Sequence, residues 1–394
     1  MSDAPLDDVL VLDFSQIRAG PWCTQILGEL GAEVVKVERP GVGESSRDSY
    51  PEQNGMGVNF IARNRNKKSI ALDLKTDRGQ EIATDLAREA DVLVENFGPG
   101  VMAEFGLDYE TLSADDPGLV YASIKGYGES GPDAGRKGVD LVMQAEAGIM
   151  SVTGPEGGPP AKVGQAIGDI GAGLYAVIGV VTALRERDRT GEGQKVSTDL
   201  FGTIVSFMEE YLTMYGITGE DPTPFGTRHQ TMVPYELFET ADGHLALLVP
   251  GQRWERFCEE ILDAPELAAY DSARSRQEHY EEIMAVMRPV LRQRTTDEWR
   301  ERLTAFGVPS GPLNSVSDVV EHPQARAQGY VFEYDDPNVG EVTLHGHPLH
   351  FSASERSIRR GPPLLGEHTR EVLGTVLGLS EADVQRLYDE EVVA

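Results

Sequence analysis

The chain has 394 residues, 40% of them hydrophobic, which is too long for one ordinary core and long enough for two domains. Its formal net charge is −30, with 35 basic residues against 65 acidic ones, which argues against nucleic acid as a partner. No apolar run reads as a membrane span. The acidic start Met1-Ser2-Asp3 is no signal peptide, and Cys23 and Cys258 are too few for a disulfide framework or a zinc site, so a cytoplasmic protein is expected.

In chain order, Val9 to Phe14 reads as a buried strand, and Gly20 to Gly31 as a helix with Pro21 in its first turn. Strands follow at Glu33 to Glu38 and Ser69 to Leu74, then an amphipathic helix from Thr76 to Ala90. Further strands are expected at Asp91 to Glu95, Leu119 to Ile124 and Lys195 to Asp199. Helices are expected near Leu141 to Ile149, after Asp169, and from Phe201 to Tyr215. Alternating strands and helices signal an α/β fold with a parallel sheet. A Gly/Pro/Thr-rich stretch, Gly216 to Gly226, marks a boundary. Beyond it come a hairpin turning at Ala241-Asp242-Gly243, charged helices from Gln252 to Phe306, a second hairpin near Asp336 to Gly340, and a capping signal at Ser380 to Asp383. The expected division is 1–215 for a large domain, 216–325 for a small one, and 326–394 for a segment returning to the first.

The eight lysines lie at positions 36, 67, 68, 75, 125, 137, 162 and 195, all in the first half. An acidic surface nearly free of lysine suits a high-salt cytoplasm, where salt screens self-repulsion. Arg63, Arg65, Lys67, Lys68 and Lys75, with Lys36, Arg39, Lys125 and Lys137, therefore suggest a polyphosphate site rather than a solvated loop. Gly126 to Gly131 matches GxGxxG after a strand, but Pro132-Asp133-Ala134-Gly135 follows instead of a helix, which speaks against a dinucleotide site. His345, His347 and His350 are read as solvated imidazoles at a strand edge, not a metal centre.

Asp169 is the lone carboxylate between Gly164 and Arg185, set among glycines at the start of a predicted helix. It suits a helix N-cap. The residues alone favour that reading; the other is a nucleophilic carboxylate, with small neighbours admitting a substrate carbonyl.

Several stretches resemble the class III CoA-transferases, the family of formyl-CoA transferase, carnitine CoA-transferase, succinyl-CoA–glutarate CoA-transferase and the α-methylacyl-CoA racemases. They are Ala19-Gly20-Pro21, Leu30 through Arg39, Asn64 through Ser69, Asp91 through Phe97, Lys125-Gly126-Tyr127-Gly128, Gly168-Asp169, His229 with Val233-Pro234-Tyr235, and Pro363 through Thr369. The resemblance implies a large Rossmann-like domain plus a smaller α+β domain in an interlocked homodimer. It also implies Asp169 as the catalytic aspartate, and Arg39, Leu72, Lys75, Asn96, Phe97 and Lys137 as the cradle for CoA. Coenzyme A thioester would be a co-substrate, with no tightly bound cofactor and no metal; the partners would be an acyl-CoA donor and a small carboxylic acid, with no nucleic acid or membrane.

Three departures stand out. Arg18 replaces a glutamine of formyl-CoA transferase and is placed to grip a dicarboxylate, or to pair with an acid such as Asp13. Glu104 replaces an arginine that contacts CoA in some relatives. Val139 replaces the racemases' histidine and cannot exchange a proton. A transferase is therefore expected, with an acyl-CoA racemase as the alternative. Succinyl-CoA is the expected donor and a mesaconate-type acid the expected acceptor; glutarate, itaconate, malate, oxalate and carnitine are alternatives. His229 and Tyr235 are expected to complete the acyl pocket.

Overall fold

The computed structural model describes residues 4–354 and 358–394; the Met1-Ser2-Asp3 stretch lies outside them. By chain contacts it divides into two units, 1–149 with 162–218 and 324–394, and 150–161 with 219–323.

The first unit is built on six parallel strands: β1 (Leu10–Asp13), β2 (Glu33–Glu38), β3 (Lys67–Ala71), β4 (Val92–Glu95), β5 (Val120–Lys125) and β6 (Lys195–Asp199). Their order is β3-β2-β1-β4-β5-β6. The mixed α/β class expected from the alternation is what the chain adopts. Most of these strands are apolar on both sides because both faces are covered. One face sets Leu12, Val35, Ile70 and Leu93 against Ile82 and Leu86 of helix α2 (Asp77–Glu89). The other sets Val11, Val34, Val92 and Val120 against Cys23 and Leu27 of α1 (Ala19–Glu29), and against Ala172, Ala176 and Val180 of a 24-residue helix, Ile167–Thr190. With the short α3 (Asp140–Glu146) between, that long helix is α4.

The strand order reverses between β1 and β4. The loops after these two strands diverge there, which opens a crevice at the carboxyl edge of the sheet.

Helix α4 is long and apolar enough to cross a membrane by length and composition, contrary to the reading of the sequence. Its small residues account for that composition. A Cβ on Gly173 would sit 2.6 Å from the backbone carbonyl oxygen of Ala19, and one on Gly171 would sit 2.6 Å from Phe207 and Thr203. Gly171 and Gly173 thus serve close packing, on α5 (Leu200–Phe207) and on α1 respectively. Gly173→Ala is expected to destabilise the fold by ~1–3 kcal/mol through overpacking, despite alanine's better helix propensity. Chemical denaturation of the two proteins measures it.

The single helix expected over Phe201 to Tyr215 is two, α5 and Glu209–Thr218, joined at the buried Met208. The segment from 324 onward belongs to the first unit. Val372, Leu373, Val384, Leu387 and Val393 enter its core, and the Ala394 N–H donates to the Ala71 carbonyl on the outer strand β3.

The second unit holds an antiparallel sheet in the order Ser310–Pro312, His244–Leu248, Tyr235–Glu239. Helices cover it around Trp254, Phe257, Met284, Met287 and Trp299. Residues 150–161 join this unit: Gly226 N–H donates to the Gly154 carbonyl, and Arg228 pairs with Glu156 at 2.7 Å.

Candidate active site

The crevice at the β1/β4 reversal is real and lined. A cleft of about 340 Å³ is bordered by Ile17, Arg18, Asn96, Phe97, Lys137, Val139, Asp140 and Asp169, among others. The chain folds this way because two loops are stapled together. The Asn96 side chain accepts from Gln16 N–H at 2.7 Å and donates to the Gln16 carbonyl at 2.8 Å. Ile17, next in line, has φ of +69°, costly for a β-branched residue. It is held at both ends: its N–H donates to Glu44 and its carbonyl accepts from Arg63. Arg18 follows as the residue before α1.

Asp169 does not cap its helix. The capping position belongs to Ala166, whose side chain has nothing to offer, and Asp169 lies three residues further on. A neighbour performs the capping. Asp140, at the start of α3, accepts Gly168 N–H at 2.8 Å and the Gln144 amide at 2.7 Å, while Gln144 in turn accepts Val163 N–H. Among the described residues the Asp169 carboxylate accepts no hydrogen bond, so it is left half-buried and unengaged at the cleft. Burial and then the Asp140 carboxylate push its pKa up to about 6, against the pull of Arg18 and Arg63. At neutral pH such a group is largely ionised yet poorly solvated, a suitable state for a nucleophile. Sequence reasoning missed Asp140 and Gln144 in this role; nothing local in the chain links position 140 to 168.

The cation run proves to be mostly scaffolding. The side chains of Lys36, Arg65 and Lys67 are fully buried. They pair with Glu44 at 3.7 Å, Glu29 at 2.6 Å and Asp13 at 3.0 Å. Lys125 is bound to Glu95 and the Phe97 carbonyl. Lys68 pairs with Glu33 and Glu371. Three of the scarce lysines, Lys36, Lys67 and Lys125, are thus held by buried acids rather than left open for phosphates. Arg39, Lys75 and Lys137 remain exposed. Arg39 follows β2 and Lys75 lies four residues past β3, adjacent strands, but neither borders the cleft. Leu72 is only 2% exposed and packs in the core. Among the described residues Arg18 pairs with no acid; its side chain reaches Gln165 Oε1 at 3.5 Å, and Asp13 is committed to Lys67, Ser15 and Thr24.

His229 and Tyr235 lie in the second unit, their rings stacked with centroids 5.1 Å apart. His229 Nδ1 accepts from the backbone N–H groups of Thr231 and Met232, which leaves Nε2 outward. The histidines read as solvated are not all so. His345 stacks on Trp22 at 5.1 Å, and burial, with Arg65 and Arg63, pushes its pKa down to about 4; His347 packs edge-on to the same ring at 4.8 Å. His350 is exposed. Among the described residues no group of His, Cys, Asp or Glu could hold a metal.

A family model described as CoA-transferase family III matches residues 6–369. The chain belongs to this family. It is 36% identical, over 99% of its length and 90% of the relative's, to the succinyl-CoA:glutarate CoA-transferase of Mus musculus. It is 37% identical to the succinyl-CoA:mesaconate CoA-transferase of Haloarcula hispanica, over 93% of this chain and 95% of that one. Among solved structures it is similar to a CAIB/BAIF family protein from Brucella suis, with a TM-score of 0.84, 34% identity, and coverage of 95% and 99% of the two chains. The protein is therefore a class III CoA-transferase, and CoA thioesters are its co-substrates.

Proposed function

We propose that this CoA-transferase moves CoA from succinyl-CoA to a short dicarboxylic acid of the mesaconate type, through a thioester on Asp169. The observation that carries the reading is the unengaged Asp169 carboxylate in the cleft at the strand-order reversal, with Arg18, Asn96, Phe97 and Lys137 around it. The names of the murine and haloarchaeal relatives support the donor and the class of acceptor.

In this reading a carboxylate oxygen of Asp169 attacks the donor thioester carbonyl and expels CoA thiolate, leaving a mixed anhydride. The thiolate then attacks the aspartyl carbonyl. The donor acid departs with the bridging oxygen, and Asp169 carries CoA as a thioester. An acceptor carboxylate reverses both steps. Asn96, Phe97 and Lys137 hold the cofactor, and its distant binding energy positions the reacting carbonyl. Arg39 and Lys75 reach its phosphates from the ends of β2 and β3. Arg18 grips the far carboxylate of the acid. His229 and Tyr235 belong to the acyl pocket. Val139, in the cleft, offers no acid or base for racemisation, so deuterium exchange at the α-carbon of an acyl-CoA is expected to be absent.

The test is a panel of short acids offered with succinyl-CoA at high salt, new thioesters being read by mass. Hydroxylamine trapping is expected to mark Asp169 during turnover; an unmodified Asp169 peptide refutes the reading. Arg18→Gln is expected to lower kcat/KM for dicarboxylates about tenfold or more while sparing monocarboxylates; an unchanged preference refutes the clamp. The exposed apolar side chains Leu174, Tyr175, Ile178 and Val181 on α4 fit a surface buried against a second copy. A homodimer is expected by light scattering.

A further inference from the structure

Two arginines that act on Asp169, Arg18 and Arg63, form no ion pair among the described residues. Arg63 is only 7% exposed, yet its guanidinium donates to neutral acceptors alone: the Ile17 carbonyl at 3.2 Å, the Asn59 carbonyl at 3.1 Å and Asn59 Oδ1 at 2.9 Å. Of its five N–H donors these use three, so Nε–H and one Nη2–H have no acceptor among the described residues. Arg18 reaches only Gln165 Oε1, on the segment that leads into α4. Neither forms an ion pair within 4.0 Å among the described residues, in a molecule where most arginines do. Glu44 lies near Arg63, but its oxygens already serve Ile17 N–H, Ser46, Asn64 and Lys36. Besides Glu44, the carboxylate that acts on Arg63 is Asp169, which Arg18 also attracts; Asp140, whose two oxygens bind Gly168 and Gln144, acts on Asp169 in turn.

Burying guanidinium charge without an acid is unfavourable unless a counter-charge arrives. At the cleft the ionised Asp169 carboxylate is a negative charge that acts on both arginines and repels any second anion brought to them. Resting on the reading above, acylation removes that charge. When CoA sulfur takes the place of an aspartyl oxygen, the donor acid leaves with that oxygen as a free carboxylate. Asp169 is then an uncharged thioester, and its repulsion of a free carboxylate beside the two arginines is gone.

We propose that Arg18 and Arg63 form an anion site that the Asp169 carboxylate masks in the resting enzyme and exposes when CoA is esterified to it. The occupant is the far carboxylate of a short dicarboxylic acid. Free acids thus bind the thioester form in preference to the resting form, which orders the two halves of the exchange and keeps the acceptor from obstructing entry of the acyl-CoA. Arg18 contacts the acid, and Arg63, anchored to the carbonyl of the preceding residue, adds charge from behind the loop.

Asp169→Asn mimics the uncharged state in nearly the same shape, and succinate is the probe. By calorimetry in a buffer of fixed anion content, the variant is expected to bind succinate on the order of tenfold more tightly than the wild-type enzyme. The gain is expected to disappear in Asp169→Asn/Arg18→Gln and in Asp169→Asn/Arg63→Gln. Equal affinity in wild type and Asp169→Asn overturns the proposal, as does a gain that survives in either folded double variant. Should Arg63→Gln not fold, the Arg18→Gln arm still decides. The underlying reading fails separately: an Asp169→Asn enzyme that still transfers CoA removes the covalent step, whereas an inactive one without the gain removes only the masking.

Discussion

Asp169→Asn is expected to abolish CoA transfer, by on the order of 10⁴-fold or more, and at the same time to make the protein more stable above pH 6. The first effect follows from deleting the group that takes up the acyl and then the sulfur. The second follows from its environment. The Asp169 carboxyl is raised from an ordinary 3.8 to about 6 by burial and by Asp140. A carboxyl with a raised folded-state pKa binds its proton more tightly when folded. The wild-type protein therefore loses stability as pH rises from about 4 through 6, and above that it bears the whole penalty. The shift corresponds to at most ~3 kcal/mol, and partial solvation reduces it to ~1–2 kcal/mol. Asparagine carries no such penalty. Thermal melts at pH 8 are expected to favour the variant, and the difference is expected to vanish by pH 4. The wild-type rate is expected to fall as pH drops through about 6, where the nucleophile gains its proton. A melting difference independent of pH contradicts the account of the carboxylate.

Lys67→Met is expected to remove ~3–5 kcal/mol of stability, the usual result of leaving one partner of a buried pair alone. Lys67 Nζ donates to Asp13 at 3.0 Å, to the Pro21 carbonyl and to Asn64, with no exposure on either ion-pair side chain. The two partners gain unequally. Burial alone would raise Asp13, but Lys67, Lys36, Ser15 and Thr24 bring it down to about 2, whereas burial takes Lys67 down to about 8 despite Asp13. The stabilising share thus resides in the carboxylate. A depressed carboxyl stabilises above its unfolded value near 4 and loses that contribution as pH falls toward 2. The deficit of Lys67→Met is accordingly largest at neutral pH and shrinks in acid. Asp13→Asn in the same chain is expected to recover part of it. Denaturant titrations at pH 7 and pH 3 separate these outcomes.

Much of the sheet was legible because its physics is local. β2 and β6 begin and end at the residues that alternation, length and flanking charge indicate, Glu33–Glu38 and Lys195–Asp199. The hairpin at Ala241-Asp242-Gly243 follows from its turn residues. What escaped was decided by distant parts of the chain. Asp169 reads as a cap by position, and only the fold supplies Asp140 to do that work from 29 residues upstream. Lys67 and Arg63 look alike in a basic run, yet one is matched to a buried acid and the other is left with neutral acceptors. Gly171 and Gly173 of α4 look like room for a substrate and admit α5 and α1. Residues 150–161 are rich in Gly and Pro, which reads as a loop, but nothing in that composition says which unit the loop joins. The site itself was legible only through resemblance: positions 18, 96, 97, 137 and 169 share no local pattern, and a reversal in strand order brings them to one cleft.

The outer strand β3 takes its last backbone partners from residues at the far end of the polypeptide, where Asp73 N–H donates to the Val392 carbonyl and Ala394 N–H to the Ala71 carbonyl. During synthesis that edge emerges some 300 residues before its cover does. A ribosome-bound intermediate must therefore carry an open β-edge and a half-finished apolar face through most of translation. In vivo yield is therefore expected to respond to elongation speed and chaperone supply as well as to the stability of the finished fold.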